Sequence, residues 1–292
     1  EKIMEVVVAK SAGFCFGVER AVNGAKEQVK KEKKIYCLGE LVHNAQVIEA
    51  LEKDGMVTIE NLEEIQDESA KVMFRSHGVA KEIYEQAEKR KISYEDLTCP
   101  KVLYLHKLAE KYTKEGFFVL LVGSKTHAEN IGTISFCKKE NCYQFEGMEE
   151  LEDAMSAYAK SGLSKLVLLS QTTYSLAKFE SLVEELKKRC PEIVVENTIC
   201  ASTRIRQEET KELARKVDKM IIIGGKNSSN TKKLYEVAKK ECEKTYLVET
   251  EKELNREAFV DEDKVGIMAG ASTPKESIQN IKKFLEKEGE NS

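Results

Sequence analysis

Short apolar runs alternate with longer amphipathic stretches along almost the whole chain. The runs at 35–39, 117–123 and 220–224 are dense in aliphatic and aromatic residues and close on a glycine, as strands buried on both faces of a parallel sheet do. Between them apolar residues recur three and four apart, as in Val18, Ala21, Val22, Ala25 and Val29 and in Val102, Leu105, Leu108 and Tyr112. That spacing places one buried face on a helix, and the alternation of the two patterns predicts an α/β chain.

The alternation occurs three times, and each time it opens with a cysteine at a predicted helix start. The segments are Gly13-Phe14-Cys15-Phe16-Gly17, Leu97-Thr98-Cys99-Pro100 and Thr198-Ile199-Cys200-Ala201-Ser202; Pro100 suits a first helical turn. Each helix leads to one of the apolar strands and then to a polar tip: His43-Asn44, His127-Ala128-Glu129 or Ser228-Ser229-Asn230. Each tip begins 28 positions after its cysteine (15 to 43, 99 to 127, 200 to 228). A second helix (45–52, 130–138, 231–240), a short strand (56–59, 142–145, 245–248) and a third strand (72–74, 166–169, 265–268) follow. The third strands run into further tips, Ser76-His77-Gly78, Gln171-Thr172-Thr173 and Ala271-Ser272-Thr273. A third helix and a fourth strand (92–94, 193–195) then lead to the next cysteine.

The third round ends in a helix at 276–286 and a charged tail, without that fourth strand, which Val6-Val7-Val8 ahead of Cys15 can supply. The expectation is three α/β domains about a pseudo-threefold axis, in a trefoil-like arrangement. They span 16–99, 100–197 and 198–292, the last completed by residues 1–15. Ligands of α/β sheets gather beyond the carboxyl ends of parallel strands, so this arrangement would turn three cysteines and six tips toward one centre. A single doubly wound sheet is the competing architecture; the shared 28-residue offset argues against it.

Composition narrows the partners. With 47 Lys and Arg against 51 Asp and Glu, the net charge of -4 offers no basic footprint for nucleic acid. The apolar runs fall far short of the ~20 residues of a membrane span, and the start lacks the apolar core and cleavage site of a secretory signal. A cytoplasmic chain with neither nucleic acid nor membrane as partner is expected, and there eight cysteines are thiols or metal ligands rather than a disulfide framework.

Three converging thiolates suit a soft metal or an iron-sulfur cluster. A structural zinc is closed by four protein ligands, and no fourth His or Cys recurs at an equivalent place. A 4Fe-4S cluster on Cys15, Cys99 and Cys200 leaves one iron open as a Lewis acid. Cys37, Cys137, Cys142, Cys190 and Cys242 are read as core packing, and the close pair Cys137 and Cys142 is not read as ligands. The tips, rich in His, Ser, Thr and Asn beside helix starts, form a diphosphate cage. Taken alone, Ser228-Ser229-Asn230 is an ordinary helix cap, and Thr172-Thr173 an ordinary turn; their places in the repeat change that. His43, His77 and His127 fall at strand ends, whereas His106 lies inside a helix and is read as structural. Glu129, in a water-poor pocket, would have its pKa pushed up and deliver a proton, with Thr172 relaying it.

These segments, together with Ser170-Gln171-Thr172-Thr173, Asn197-Thr198-Ile199-Cys200, Lys226-Asn227-Ser228-Ser229-Asn230 and Ala269-Gly270-Ala271-Ser272, resemble over nearly the whole chain the 4-hydroxy-3-methylbut-2-enyl diphosphate reductases, the LytB family. The resemblance implies a 4Fe-4S cluster on Cys15, Cys99 and Cys200 whose open iron takes the substrate hydroxyl. It implies a diphosphate held by His43, His77, His127, Ser228, Ser229, Asn230 and Ser272, and protons from Glu129 with help from Thr172. Isopentenyl and dimethylallyl diphosphates would be the products, with ferredoxin or flavodoxin as electron donor. Many members carry proline where this chain has Ala128. Two other classes use the same features: an aconitase-like hydratase, which needs no reduced donor, and a cluster-based sensor, which needs no diphosphate.

Overall fold

The computed structural model describes residues 4–286 apart from 33 and 68, so the charged tail at 287–292 lies outside the described residues. In chain order, β1 (Glu5–Val8) and α1 (Phe16–Lys31) precede β2 (Ile35–Leu38), α2 (Ala45–Lys53), β3 (Met56–Ile59), β4 (Lys71–Phe74), α3 (Lys81–Lys89) and β5 (Ser93–Asp96). Next come α4 (Pro100–Lys114), β6 (Phe117–Val122), α5 (Ala128–Ser135), β7 (Cys142–Phe145), α6 (Leu151–Ser161), β8 (Lys165–Ser170), α7 (Leu176–Arg189) and β9 (Val194–Val195). The chain continues through α8 (Ala201–Ala214), β10 (Lys219–Ile223), α9 (Ser229–Glu241), β11 (Thr245–Val248), β12 (Lys264–Ala269) and α10 (Lys275–Glu286).

The fold is α/β, with three four-stranded sheets ordered β3-β2-β4-β5, β7-β6-β8-β9 and β11-β10-β12-β1, every pairing parallel. The order is the same in all three. The two most buried strands sit in the middle, the strand that follows the second helix at one edge and the last strand at the other. In the third sheet the far edge is β1, with Val6 opposite Val265.

Two compact units contain these sheets. One draws on described residues within Glu1–Val18, His43–Val47 and Ala201–Ser292, the other on Glu19–Val42 and Ile48–Cys200. In the first unit, alternate residues of the central strands serve opposite layers: Ile221, Ile223 and Ile267 pack with Ile281 and Leu285 of α10, whereas Met220, Ile222 and Met268 pack with Leu234 and Ala238 of α9. In the second unit Leu120, Val122 and Leu168 face Phe179 and Leu182 of α7, and Val119, Leu121 and Val167 face Leu105 and Leu108 of α4. Both faces being covered explains why these strands read as unbroken apolar runs; each such side chain contributes roughly 1.5–3 kcal/mol by leaving water.

Helix α6 is an element the apolar runs did not announce. It stands between β7 and β8, where the other two sheets have only 3-10 turns at Leu62–Glu64 and at Glu251–Glu253 and Arg256–Ala258. Its signal was available in the spacing of Leu151, Ala154, Met155 and Tyr158, which pack against the sheet, and in Gly162, which ends it at φ 69°. Helix α5 begins at Ala128 rather than 130, which brings Glu129 into its first turn. No helix among the described residues is long and apolar enough to cross a membrane.

Candidate active site

The three cysteines occupy the same local setting. The amide of Cys99 donates to Ser76 O at 2.9 Å, that of Cys200 to Thr172 O at 2.9 Å and that of Cys15 to Ala271 O at 3.1 Å. Each acceptor lies in the tip that follows the third strand of its sheet. All eight cysteines are thiols rather than half-cystines, and Cys15, Cys99 and Cys200 are partly exposed while Cys37 and Cys242 are buried. Among the described residues no three His, Cys, Asp or Glu side chains are grouped to hold a single metal ion.

The turns after the first strands are equally alike. Gly39, Gly123 and Gly224 have φ of 71°, 150° and 151°, values that favour glycine. Their amides donate to Ile59 O, Phe145 O and Val248 O at 2.8, 2.9 and 2.9 Å. Each lies 24 residues after its cysteine (15 to 39, 99 to 123, 200 to 224), a second repeat signal beside the offset of the tips. A Cβ at Gly224 would stand 2.6 Å from Thr231 Oγ1, so the chain closes here too tightly for a side chain.

Within the second unit, the structure brings His77, His127, Glu129 and Thr172 into two linked contacts. His127 caps α5, its Nδ1 accepting from the Glu129 amide at 3.2 Å. With Nδ1 an acceptor, the neutral ring keeps its proton on Nε2. The His77 ring stands edge-on to it, centroids 5.6 Å apart. Glu129 is 2% exposed, and Thr172 grips both its carboxylate oxygens, the amide donating to Oε1 at 2.6 Å and Oγ1 to Oε2 at 2.7 Å. Burial raises the Glu129 pKa and these two hydrogen bonds lower it; burial wins, leaving it at about 7. Because Thr172 O also accepts from the Cys200 amide, one threonine ties the carboxyl to a cysteine backbone.

Gln171 and Asn130 support this loop and carried no role in the sequence reading. Gln171 Oε1 accepts from the Ser124 amide at 3.0 Å and from Asn130 Nδ2 at 3.3 Å. Their signal was adjacency to Thr172 and Glu129. His106, read as structural, is 1% exposed and stacked on Phe136 at 4.7 Å. Burial pushes its pKa down to about 4, partly offset by the Glu129 carbonyl.

Within the first unit, Ser272 Oγ donates to His43 O at 3.0 Å, joining two of the expected tips. Ser228 caps α9 through its Oγ, which accepts from the Thr231 amide at 3.3 Å. Ser229 opens that helix, and Asn230 is buried with its Nδ2 lacking a hydrogen-bond partner, which is uncommon for a buried polar group. The loop before Cys15 is clamped by α8: Arg206 Nη2 donates to Gly13 O at 2.7 Å, and Glu209 accepts from the Lys10 and Ser11 amides at 2.6 and 2.9 Å.

Comparison with known proteins gives a consistent result. Residues 6–286 match the family described as LytB protein. The 4-hydroxy-3-methylbut-2-enyl diphosphate reductase of Caldanaerobacter subterraneus subsp. tengcongensis is 40% identical over 282 residues, covering 95% of each chain. The enzyme of the same name from Aquifex aeolicus is 40% identical over 285 residues, covering 97% of this chain and 96% of its own. Among solved structures, the E-1-hydroxy-2-methyl-but-2-enyl-4-diphosphate reductase of Plasmodium falciparum superimposes with a TM-score of 0.90 at 29% identity, covering 98% of this chain and 89% of that one.

Proposed function

The chain belongs to the LytB family, and on that premise we propose that it removes the allylic hydroxyl of (E)-4-hydroxy-3-methylbut-2-enyl diphosphate by reduction, as the last step of the non-mevalonate route to isoprenoids. The alcohol takes up two electrons and two protons and yields water with isopentenyl or dimethylallyl diphosphate, according to which end of the allyl group is protonated.

The diphosphate would be held by His43, His77, His127, Ser228, Ser229, Asn230 and Ser272. Neutral His127 offers Nε2–H as a donor, Asn230 an unused Nδ2, and the first turn of α9 its amides and positive dipole end. Cys15, Cys99 and Cys200 suit a 4Fe-4S cluster, since they are partly exposed soft donors with amides pinned in the same way. When bound, that cluster would supply electrons, arriving from a ferredoxin or flavodoxin, and an iron open to the substrate hydroxyl.

The observation that carries the reading is the Glu129–Thr172 pair. A carboxyl with a pKa of about 7 holds a proton at Oε and can give it up near neutrality. Thr172 Oγ1, 2.7 Å from Oε2, can turn its hydroxyl outward to give its own proton onward while accepting the one on Oε2. With a chemically reduced donor, Glu129→Gln should retain iron and sulfide while turnover falls roughly a hundredfold or more. Cys99→Ser should lose the cluster. Near-normal turnover of the first variant, or a full cubane spectrum in the second, would remove the residue concerned from the mechanism.

A further inference from the structure

Two thiols apart from the proposed site meet at a surface cleft. Cys137 follows the end of α5, its amide donating to Ile134 O at 3.0 Å, and Cys142 opens β7 opposite Val119. The turn at 138–141 brings the chain back so that the Cys137 thiol hydrogen-bonds the Cys142 sulfur. Both back onto the cluster of Leu105, Val119 and Leu121, which accounts for the core reading of their sequence. Their other side faces a cleft of about 500 Å³ bordered also by Glu82, Lys125, Lys139 and Tyr143. Cys37 shows what an inert thiol looks like in the same chain: fully buried, with burial pushing its pKa up to about 12.

The hydrogen bond sets an asymmetry between the two. It holds the Cys142 thiol below the usual range and pushes Cys137 above it, so the pair gives up its first proton readily and keeps its second. A thiolate beside a thiol, reachable from solvent, is the arrangement thiol-disulfide exchange uses.

We propose that Cys137 and Cys142 form a reversible dithiol-disulfide site, with Cys142 attacking a low-molecular-weight disulfide and Cys137 resolving the adduct. Cys142 Sγ bonds to one sulfur of the small disulfide as its S–S bond breaks, and the departing thiolate takes up the proton Cys142 lost. Cys137, deprotonated, then attacks Cys142 Sγ and releases the second small thiol, which receives the Cys137 proton. Two protein thiols are oxidised to one disulfide and the small disulfide is reduced to two thiols.

The test treats cluster-loaded protein anaerobically with glutathione disulfide, then alkylates and maps the peptides. Wild type should lose two hydrogens in a peptide that joins Cys137 to Cys142. Cys137→Ser should hold a glutathione adduct on Cys142, whereas Cys142→Ser should acquire one on Cys137 about tenfold more slowly or worse. Adducts forming at equal rates in the two variants, or oxidation of wild type elsewhere with this pair still alkylated, overturns the proposal. The wild-type map needs no variant to fold, and mass rather than turnover is read, so the outcome is separate from that of the proposed reaction.

Discussion

Replacing Glu129 by Gln should change how stability depends on pH, and the structure states the sign. In the unfolded chain the carboxyl ionises near its ordinary 4.5, in the folded chain at about 7. Between those values the folded state keeps a proton that the unfolded state has lost, so unfolding free energy falls as pH rises, by about 1.4 kcal/mol per unit. Summed across that window the loss is about 3 kcal/mol, complete above the folded pKa and absent below the unfolded one. The two hydrogen bonds from Thr172 oppose this, but burial outweighs them. Gln keeps the shape and remains neutral: its Oε1 can accept from the Thr172 amide and its Nε2 can donate to Thr172 Oγ1, whose hydroxyl rotates to suit. Urea unfolding of wild type and Glu129→Gln at pH 5 and pH 8, at matched cluster content, compares the two slopes, and other titrating groups cancel in the difference. Wild type should lose about 2.5 kcal/mol more than the variant between those values, the first part of the window lying below pH 5. Parallel slopes, or a wild type that gains relative to the variant as pH rises, would mean that the Thr172 hydrogen bonds win over burial and that Glu129 is an ordinary ionised carboxylate.

Thr172→Val removes the hydroxyl donor but leaves the backbone donor to Glu129, so the Glu129 pKa should rise further, by on the order of one unit; the infrared stretch of the protonated carboxyl followed against pH reads this, and an unchanged or lower pKa refutes it. His106, held near 4 by burial, should act in the opposite direction: as pH falls below 6.5 the unfolded chain takes the proton first, so stability drops toward pH 4 by up to about 3 kcal/mol. His106→Gln should flatten that acid limb whatever its absolute stability, and an unaltered limb would count against a neutral buried ring. Gly224→Ala places a Cβ 2.6 Å from Thr231 Oγ1 at φ 151° and should lower stability by about 1–3 kcal/mol in thermal melts, with a melt equal to wild type showing that the turn relaxes freely.

Much of the architecture is written locally. An apolar run closing on a glycine, and apolar residues three and four apart, are properties of neighbouring positions, so the strands, the helices other than α6 and their assembly into parallel sheets could be read before any coordinates. Likewise the 28-residue offset survives because each round of strand and helix has the same length between cysteine and tip. Pairings between distant positions carry no such periodic trace. That Thr172 grips Glu129 across 43 residues, that Gln171 braces Ser124, and that Asn230 keeps a buried donor unused depend on which loops the packed sheets bring side by side. The same holds for electrostatics. Glu129 and His106 depart from their ordinary pKa values because water is excluded around them, and Cys137 and Cys142 become a pair because a turn folds one sulfur back onto the other. Local pattern selected the elements because backbone geometry is periodic; proton affinities and long-range contacts were left to the fold because they arise only when separate segments share one dry space.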